Sequence, residues 1–334
     1  IKYNFFPKPH FIINESTISN ENGQISKIEK LKIFLFLDNF FSLKNIKLGD
    51  VIFYNSNFDL NKKNYNFFIK LLNKNFENGN LIIKNSNVFF RNLDDEVLLI
   101  NKILRMKYYY DKKEFRNLLY SNNEIFNIPY SMNSFLKEDE SKIFSTINLN
   151  LMKLKIKNEL NLDGEKKIGK SEFTFKKVKR IAEYQIEKNY FKFHFFDKLD
   201  QPSITYKGNF NLKPFYASLK GDVNEINLNY IFGSNAIIAQ LLKTEIFNNK
   251  NINFNFNIIA NKVHDNVNFR NIHLKSKIKD GLIDTDQTEF EWRNFANFEL
   301  TESLIFVREG ELVLDGKLKI HVNDYNEIYK FLLT

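Results

Sequence analysis

The stretch Asn251-Ile252-Asn253-Phe254-Asn255-Phe256-Asn257-Ile258 decides the class of this chain. Strict alternation gives a strand with one apolar face, carrying Ile252, Phe254, Phe256 and Ile258, and one face of asparagines. Working outward, the same period of two recurs. Leu312, Leu314, Leu318, Ile320 and Val322 keep one parity through Asp315-Gly316, and Ile226, Leu228 and Tyr230 repeat the pattern. So do Phe193 with Phe195, and Ile204 with Tyr206. Between 147 and 162 the apolar parity switches, from Ile147, Leu149 and Leu151 to Leu154, Ile156, Leu160 and Leu162. A one-residue slip turns every later side chain to the other face, which predicts a bulge or turn near Met152-Lys153. From about residue 145 onward such blocks recur roughly every 8–14 residues, as in an extended antiparallel sheet.

Helical spacing is the minority signal. Tyr65, Phe68, Leu71, Leu72 and Phe76 form a stripe across 60–77. Ile237, Ile238, Leu241 and Leu242 predict a second helix near 231–247, capped by Ser234 or Asn235, and 324–333 offers a third. The expected fold is therefore mainly β: an extended, curled antiparallel sheet, of groove or open-sandwich type, with two or three helices. Pro129, Asn133 and the acidic cluster Glu138-Asp139-Glu140 make 130–142 the best boundary, dividing the chain into 1–135 and 136–334.

Composition narrows the chemistry. The chain has 334 residues, 43% of them hydrophobic, which is material for a sizeable core. Without cysteine it has no disulfide, zinc–thiolate site, iron–sulfur cluster or thiol nucleophile. The net charge of +9 invites an anionic partner, yet 40 acidic residues are interspersed with 49 Lys and Arg and no basic arm stands out. The abundant residues, 36 Phe and 15 Tyr among them, are those with AT-rich codons, so genome composition competes with function as the source of the bias. No stretch approaches the ~20 apolar residues that span a bilayer as a helix. The sequence opens at Ile1 rather than methionine, so an anchor or signal is expected upstream, and a continuation beyond Thr334 stays open.

The motif search is nearly empty. Gly164-Glu165-Lys166-Lys167-Ile168-Gly169-Lys170-Ser171 matches the phosphate-cradling P-loop pattern. That motif needs a helix N-terminus after it, whereas Phe173-Thr174-Phe175 alternates like a strand, so a Lys/Gly-rich turn is the better reading. His10, His194, His264, His273 and His321 are too far apart for metal-ligand spacing. Asp284 and Asp286 share a face with Thr288, but no EF-hand loop accompanies them and a solvated edge explains them. Phe191-Lys192-Phe193-His194-Phe195 has the texture of a stacking platform for single-stranded nucleic acid, and equally of a strand with one buried face. No catalytic constellation, cofactor site or metal site is nominated, and no nucleic-acid partner is expected.

The order of softer motifs carries a resemblance. Pro7-Lys8-Pro9-His10-Phe11 is followed by Leu43-Lys44-Asn45-Ile46, Tyr54-Asn55-Ser56-Asn57-Phe58-Asp59-Leu60, and Gly79-Asn80-Leu81-Ile82-Ile83-Lys84-Asn85-Ser86-Asn87-Val88-Phe89-Phe90. Further on come Glu124-Ile125-Phe126-Asn127-Ile128-Pro129, Leu242-Lys243-Thr244-Glu245-Ile246-Phe247 and Gly310-Glu311-Leu312-Val313-Leu314-Asp315-Gly316-Lys317-Leu318. Over nearly its whole length the chain resembles the AsmA-like family, AsmA and TamB included, in its alphaproteobacterial form. The resemblance implies a non-enzymatic periplasmic protein, anchored in the inner membrane by a helix not present in this sequence. It also implies a long β-groove that carries phospholipid towards the outer membrane, and a contribution to outer-membrane assembly alongside its assembly proteins. On that expectation the lipid-lining candidates are Ile252, Phe254, Phe256, Ile258, Leu312, Leu314, Leu318 and Ile320, for which ordinary core is the competing reading. The alternatives are a scaffolding envelope module that binds proteins through its sheet edges, and an outer-membrane barrel, against which the internal helical stripes argue.

Overall fold

A computed structural model describes residues 1–20, 23–37, 46–61, 64, 79–91, 95–137, 141–175, 177–187, 190–196, 204–212, 215–227, 253–279, 282–309 and 311–333. Among these residues there are 21 strands, assigned to one largely antiparallel sheet that is not a barrel, and a single helix. The chain divides into two compact units, Ile1–Asp163 and Gly164–Thr334. The region 130–142, favoured from sequence as the boundary, falls inside the first unit.

Unit 1 contains β1 (Lys2–Asn4), β2 (His10–Asn20), β3 (Gly23–Leu37), β4 (Ile46–Leu60), β5 (Leu81–Arg91), β6 (Val97–Asp111), β7 (Arg116–Ile125), β8 (Ile128–Lys137), β9 (Lys142–Leu149) and β10 (Leu154–Asn161). Each pairs with the next in chain order, antiparallel throughout except β4 with β5, which run parallel. The hairpins follow local chemistry. Phe126 and Asn127 sit at φ 49° and 61°, the paired left-handed conformation that a tight two-residue β7–β8 turn requires. The parity switch at 152 is a turn: Met152 donates to the Leu149 carbonyl at 3.1 Å and Lys153 lies at φ 51°.

The core of unit 1 is closed, and mixes aliphatic with aromatic side chains. Ile28, Phe53, Phe58, Leu81, Ile83, Ile103 and Tyr108 are buried together on one face of β3–β6. Midway along these strands the backbone enters the left-handed region at Glu15, Asn55 and Asn85, with φ near 50° at each. The local kink lets Phe53 and Phe58, on opposite parities of β4, reach the same core. It also turns Ser56 and Ser86 inward, where the Ser86 hydroxyl accepts from the Ser56 amide at 3.0 Å and donates to the Lys84 carbonyl at 2.9 Å. These two inward serines are thus paired, which avoids a desolvation cost, whereas the buried Ser26 hydroxyl on β3 has no partner among the described residues.

Unit 2 contains β11 (Lys167–Phe175), β12 (Val178–Glu187), β13 (Tyr190–Phe196), β14 (Ile204–Leu212), β15 (Phe215–Ile226), β16 (Phe254–Val263), β17 (Asn266–Lys279), β18 (Leu282–Asp284), β19 (Glu289–Trp292), β20 (Ala296–Arg308), β21 (Glu311–Val322) and α1 (Tyr325–Leu333). Order again follows the chain, and β15 with β16 is the parallel exception. The short strands β18 and β19 share one place in the ladder, each lying between β17 and β20. Asp324 caps α1, its carboxylate accepting from the Glu327 amide at 3.1 Å, and Phe331 packs edge-on against Trp292 at 4.6 Å.

A parallel pair needs a crossover of a dozen or more residues, commonly a helix. The expected helices at 60–77 and 231–247 fall within the β4–β5 and β15–β16 connections, outside the described residues apart from Leu60, Asn61 and Asn64. There Asn61 and Asn64 exchange reciprocal side-chain-to-amide bonds at 3.1 and 2.9 Å, the pattern of a capping box. The third expected helix, 324–333, is α1.

Candidate functional site

The apolar face of unit 2 is the candidate. Residues directly paired across a sheet share a face, so the register can be read straight across the strands. One row runs Ile186, Phe191, Phe210, Ala217, Phe254, Ile278, Ile283, Ile305 and Leu314, from β12 to β21 without a polar member. Three residues along, on the opposite face, the row is Lys170, Glu183, His194, Lys207, Lys220, Asn257 and Lys275. Between these two rows the sheet is two-faced in composition from β12 to β17. With strands about 4.8 Å apart, eight steps carry the apolar row roughly 38 Å.

Aromatic rings dominate its middle. Tyr184 stacks on Phe191 at 5.3 Å, Phe191 meets Phe210 at 5.5 Å, Phe210 meets Phe254 edge-on at 5.7 Å, and Phe254 stacks on Phe256 at 5.3 Å. Phe210 and Phe254 are two strands apart and touch because Ala217 lies between them. Glycines do the same for other rings. Gly169 is paired with Tyr184, Gly208 with Phe193 and Gly221 with Tyr206, and a Cβ at any of the three would fall within the opposing ring. The rings therefore lie down over their neighbours' backbone instead of standing off the sheet. At the far end of the same strands Val223, Ile226, Ile258, Ala260 and Ile272 form a fully buried cluster. The aromatic half, from Tyr184 to Phe256, is only half-buried.

The polar face is a lattice of cross-strand pairs. His264 bonds the Glu225 carboxylate and Lys262 reaches it at 3.2 Å, which together, His264 foremost, hold Glu225 below the usual carboxylate range. His273 pairs with Asn257 at 2.8 Å. The Nε2 of His194 is buried with no hydrogen-bond partner among the described residues.

Six of the eight proposed lining residues are described with their side chains, and all six fall on the one apolar face. Phe254 and Phe256 belong to the aromatic half and Ile258 to the buried cluster. Leu314, Leu318 and Ile320, paired with Ile305, Leu300 and Phe298, extend the face onto β21, where they stay exposed. Ile252 lies outside the described residues, and for Leu312 the strand position opposite Val307 is described but not the side chain. Tyr184, Phe191, Phe193 and Phe210 share this face and are not among those candidates. The alternation in 191–195 marks Phe191 and Phe193, whereas Tyr184 and Phe210 are brought beside them only by the pairing of β12, β13 and β14.

The remaining motifs resolve into structure. Residues 167–175, which cover the second half of the P-loop match, are strand β11, with Lys170 facing Glu183 at 3.8 Å and Ser171 buried on the other side. A phosphate cradle needs a helix there. Asp286 accepts from the Ser303 amide at 2.6 Å and hydroxyl at 3.1 Å, and Asp284 accepts from the Asp286 amide at 2.8 Å, so both carboxylates serve the β18–β20 junction. No group of three or more metal-ligating side chains occurs among the described residues. No helix among them is long and apolar enough to cross a membrane. No protein-family model matches the chain, and no curated protein matches it in sequence.

Proposed function

We propose that this chain is a non-enzymatic lipid-groove protein of the cell envelope. In this reading it shields phospholipid acyl chains along the apolar face of unit 2 as they pass between membranes, and so contributes to outer-membrane assembly. The observation that carries the reading is the unbroken apolar row from Ile186 to Leu314, half-exposed through its aromatic stretch and backed by a charged face. Apolar faces of that extent usually mark interaction surfaces. Each Å² of acyl chain covered contributes about 25 cal/mol, so a chain laid over several rings is held without any directional contact. The AsmA-like resemblance supports the periplasmic, inner-membrane-anchored setting, and the lipid species is part of the test.

The experiment is native mass spectrometry with lipid extraction on residues 1–334 purified from a bacterial periplasm. Stoichiometric phospholipid is the expected result, abolished in Phe254→Asp/Phe256→Asp while circular dichroism retains the β signal. A clean apo mass with no uptake of added fluorescent phospholipid overturns the reading. A second reading, a scaffold that binds proteins through its sheet edges, is favoured by one observation: β21 is exposed along most of its length.

A further inference from the structure

Among the described residues β21 pairs with β20 alone, so its other side presents unpaired backbone N–H and C=O groups. Edge strands are normally blunted by shortness, charge, proline or an edge bulge, and the charges of this one, Asp315, Lys317 and Lys319, all lie on its polar face. This one has 12 residues and no proline. Its irregularity sits on the inner neighbour, where Glu302 at φ 48° and Ser303 bulge opposite Gly316. Gly316 is required there, since a Cβ would collide with Ser303. Residues 314–321 are exposed, on both faces of the sheet.

The strand is also self-complementary. Read in the two directions from Gly316, Val313-Leu314-Asp315 meets Lys317-Leu318-Lys319. We propose that β21 pairs antiparallel with β21 of a second copy of this chain, with Gly316 on the twofold axis. Leu314, 52% exposed, then lies opposite Leu318 of the second copy, 48% exposed, and the apolar face continues across the junction. On the polar face Asp315 lies opposite Lys317 of the second copy. No hydrogen bond or ion pair reaches Asp315 among the described residues of its own chain, while Lys317 has Glu302 at 2.5 Å and donors to spare. Twofold symmetry makes each of these contacts twice. The pairing joins the unit 2 strands of the two copies edge to edge and does not depend on lipid binding.

The test is sedimentation equilibrium of residues 1–334 over a hundredfold concentration range. The wild-type chain is expected to dimerise. Leu314→Lys/Leu318→Lys is expected to be monomeric, with circular dichroism unchanged because both side chains are exposed. Asp315→Lys and Lys317→Asp each place like charges opposite at both rungs, weakening self-association about tenfold. Mixing those two variants places opposite charges at both rungs, and a heterodimer at least as tight as the wild-type dimer is expected. A wild-type monomer throughout, a dimer indifferent to Leu314→Lys/Leu318→Lys, or no gain on mixing overturns the proposal. Lipid content measured on Asp315→Lys and Lys317→Asp, whose changes lie on the polar face, reads the groove separately.

Discussion

The two units meet the same requirement, one dry face on a twisted sheet, by different means. Unit 1 kinks its strands: left-handed residues at Asn55 and Asn85 let opposite parities of one strand feed a closed core, and the inward Ser56 and Ser86 satisfy the kinked backbone. Unit 2 keeps its strands regular through β11–β15 and lays aromatic rings over glycine and alanine. The first device closes the face. The second leaves a thin layer of rings whose outer surfaces remain half-open. A sheet that only had to be stable would be expected to use the first device throughout, so the aromatic half of unit 2 is where a ligand is to be sought.

That contrast predicts unequal costs for truncation. Ile28, with none of its surface exposed, is expected to lose 2–5 kcal/mol on Ile28→Ala, through lost burial plus a cavity that its packed neighbours cannot fill. Phe254→Ala removes more atoms but is expected to cost about 1 kcal/mol, near half the value of fully burying a Phe. Urea unfolding followed by peptide-resolved hydrogen exchange separates the units, and Trp292, the one tryptophan, reports unit 2 by fluorescence. Equal losses at the two sites would mean that the aromatic face of unit 2 is covered as completely as the core of unit 1.

A smaller effect sharpens the role of the glycines. Gly208→Ala places a methyl group where the Phe193 ring lies and against the Ser218 carbonyl. The ring must lift, at an expected cost of 1–3 kcal/mol, the usual range for overpacking. In unit 2 the displaced ring also loses its contact with Phe210 at 5.7 Å, which breaks the aromatic sequence at its centre. Lipid capture is therefore expected to fall by more than stability does. Stability lost with lipid capture intact would assign the rings to packing alone.

Much of this was legible before any coordinates. Alternation in 251–258 and 312–322 identified the strands and their apolar sides, because the period of two is imposed by the pleat itself. The switch at Met152-Lys153 and the helix at 324–333 were legible for similarly local reasons. Strand direction was not. Nothing in Phe254-Asn255-Phe256 distinguishes a parallel neighbour from an antiparallel one, so the β15–β16 and β4–β5 pairings went unseen. The kinks left a trace that alternation alone passes over: Asn55-Ser56-Asn57 and Asn85-Ser86-Asn87 sit side by side in the parallel pair, each at a change of apolar parity. The lining rings were hidden for a different reason. Phe191 and Phe193 read as strand residues, but their posture is set by Phe210, Gly208 and Ala217 on strands distant in sequence.

The smallest expected effect tests whether the tyrosine beside the closed cluster is covered. Tyr206 lies over Gly221, next to the buried cluster, and burial raises its phenol above the ordinary value near 10, with the Arg180 guanidinium pulling the other way. The folded protein thus holds the Tyr206 proton at pH values where the unfolded chain has released it. By linkage its contribution is intact below pH 10 and is lost as pH rises from there through the folded-state value. Tyr206→Phe cannot ionise, and no hydrogen bond to the hydroxyl occurs among the described residues, so the substitution should be near-neutral at pH 7. Its urea midpoint relative to wild type should then climb steadily between pH 9 and 11. A difference that stays flat across that range would place Tyr206 in the same open layer as the rings beside it and move the closed end of the face further along β15 and β16.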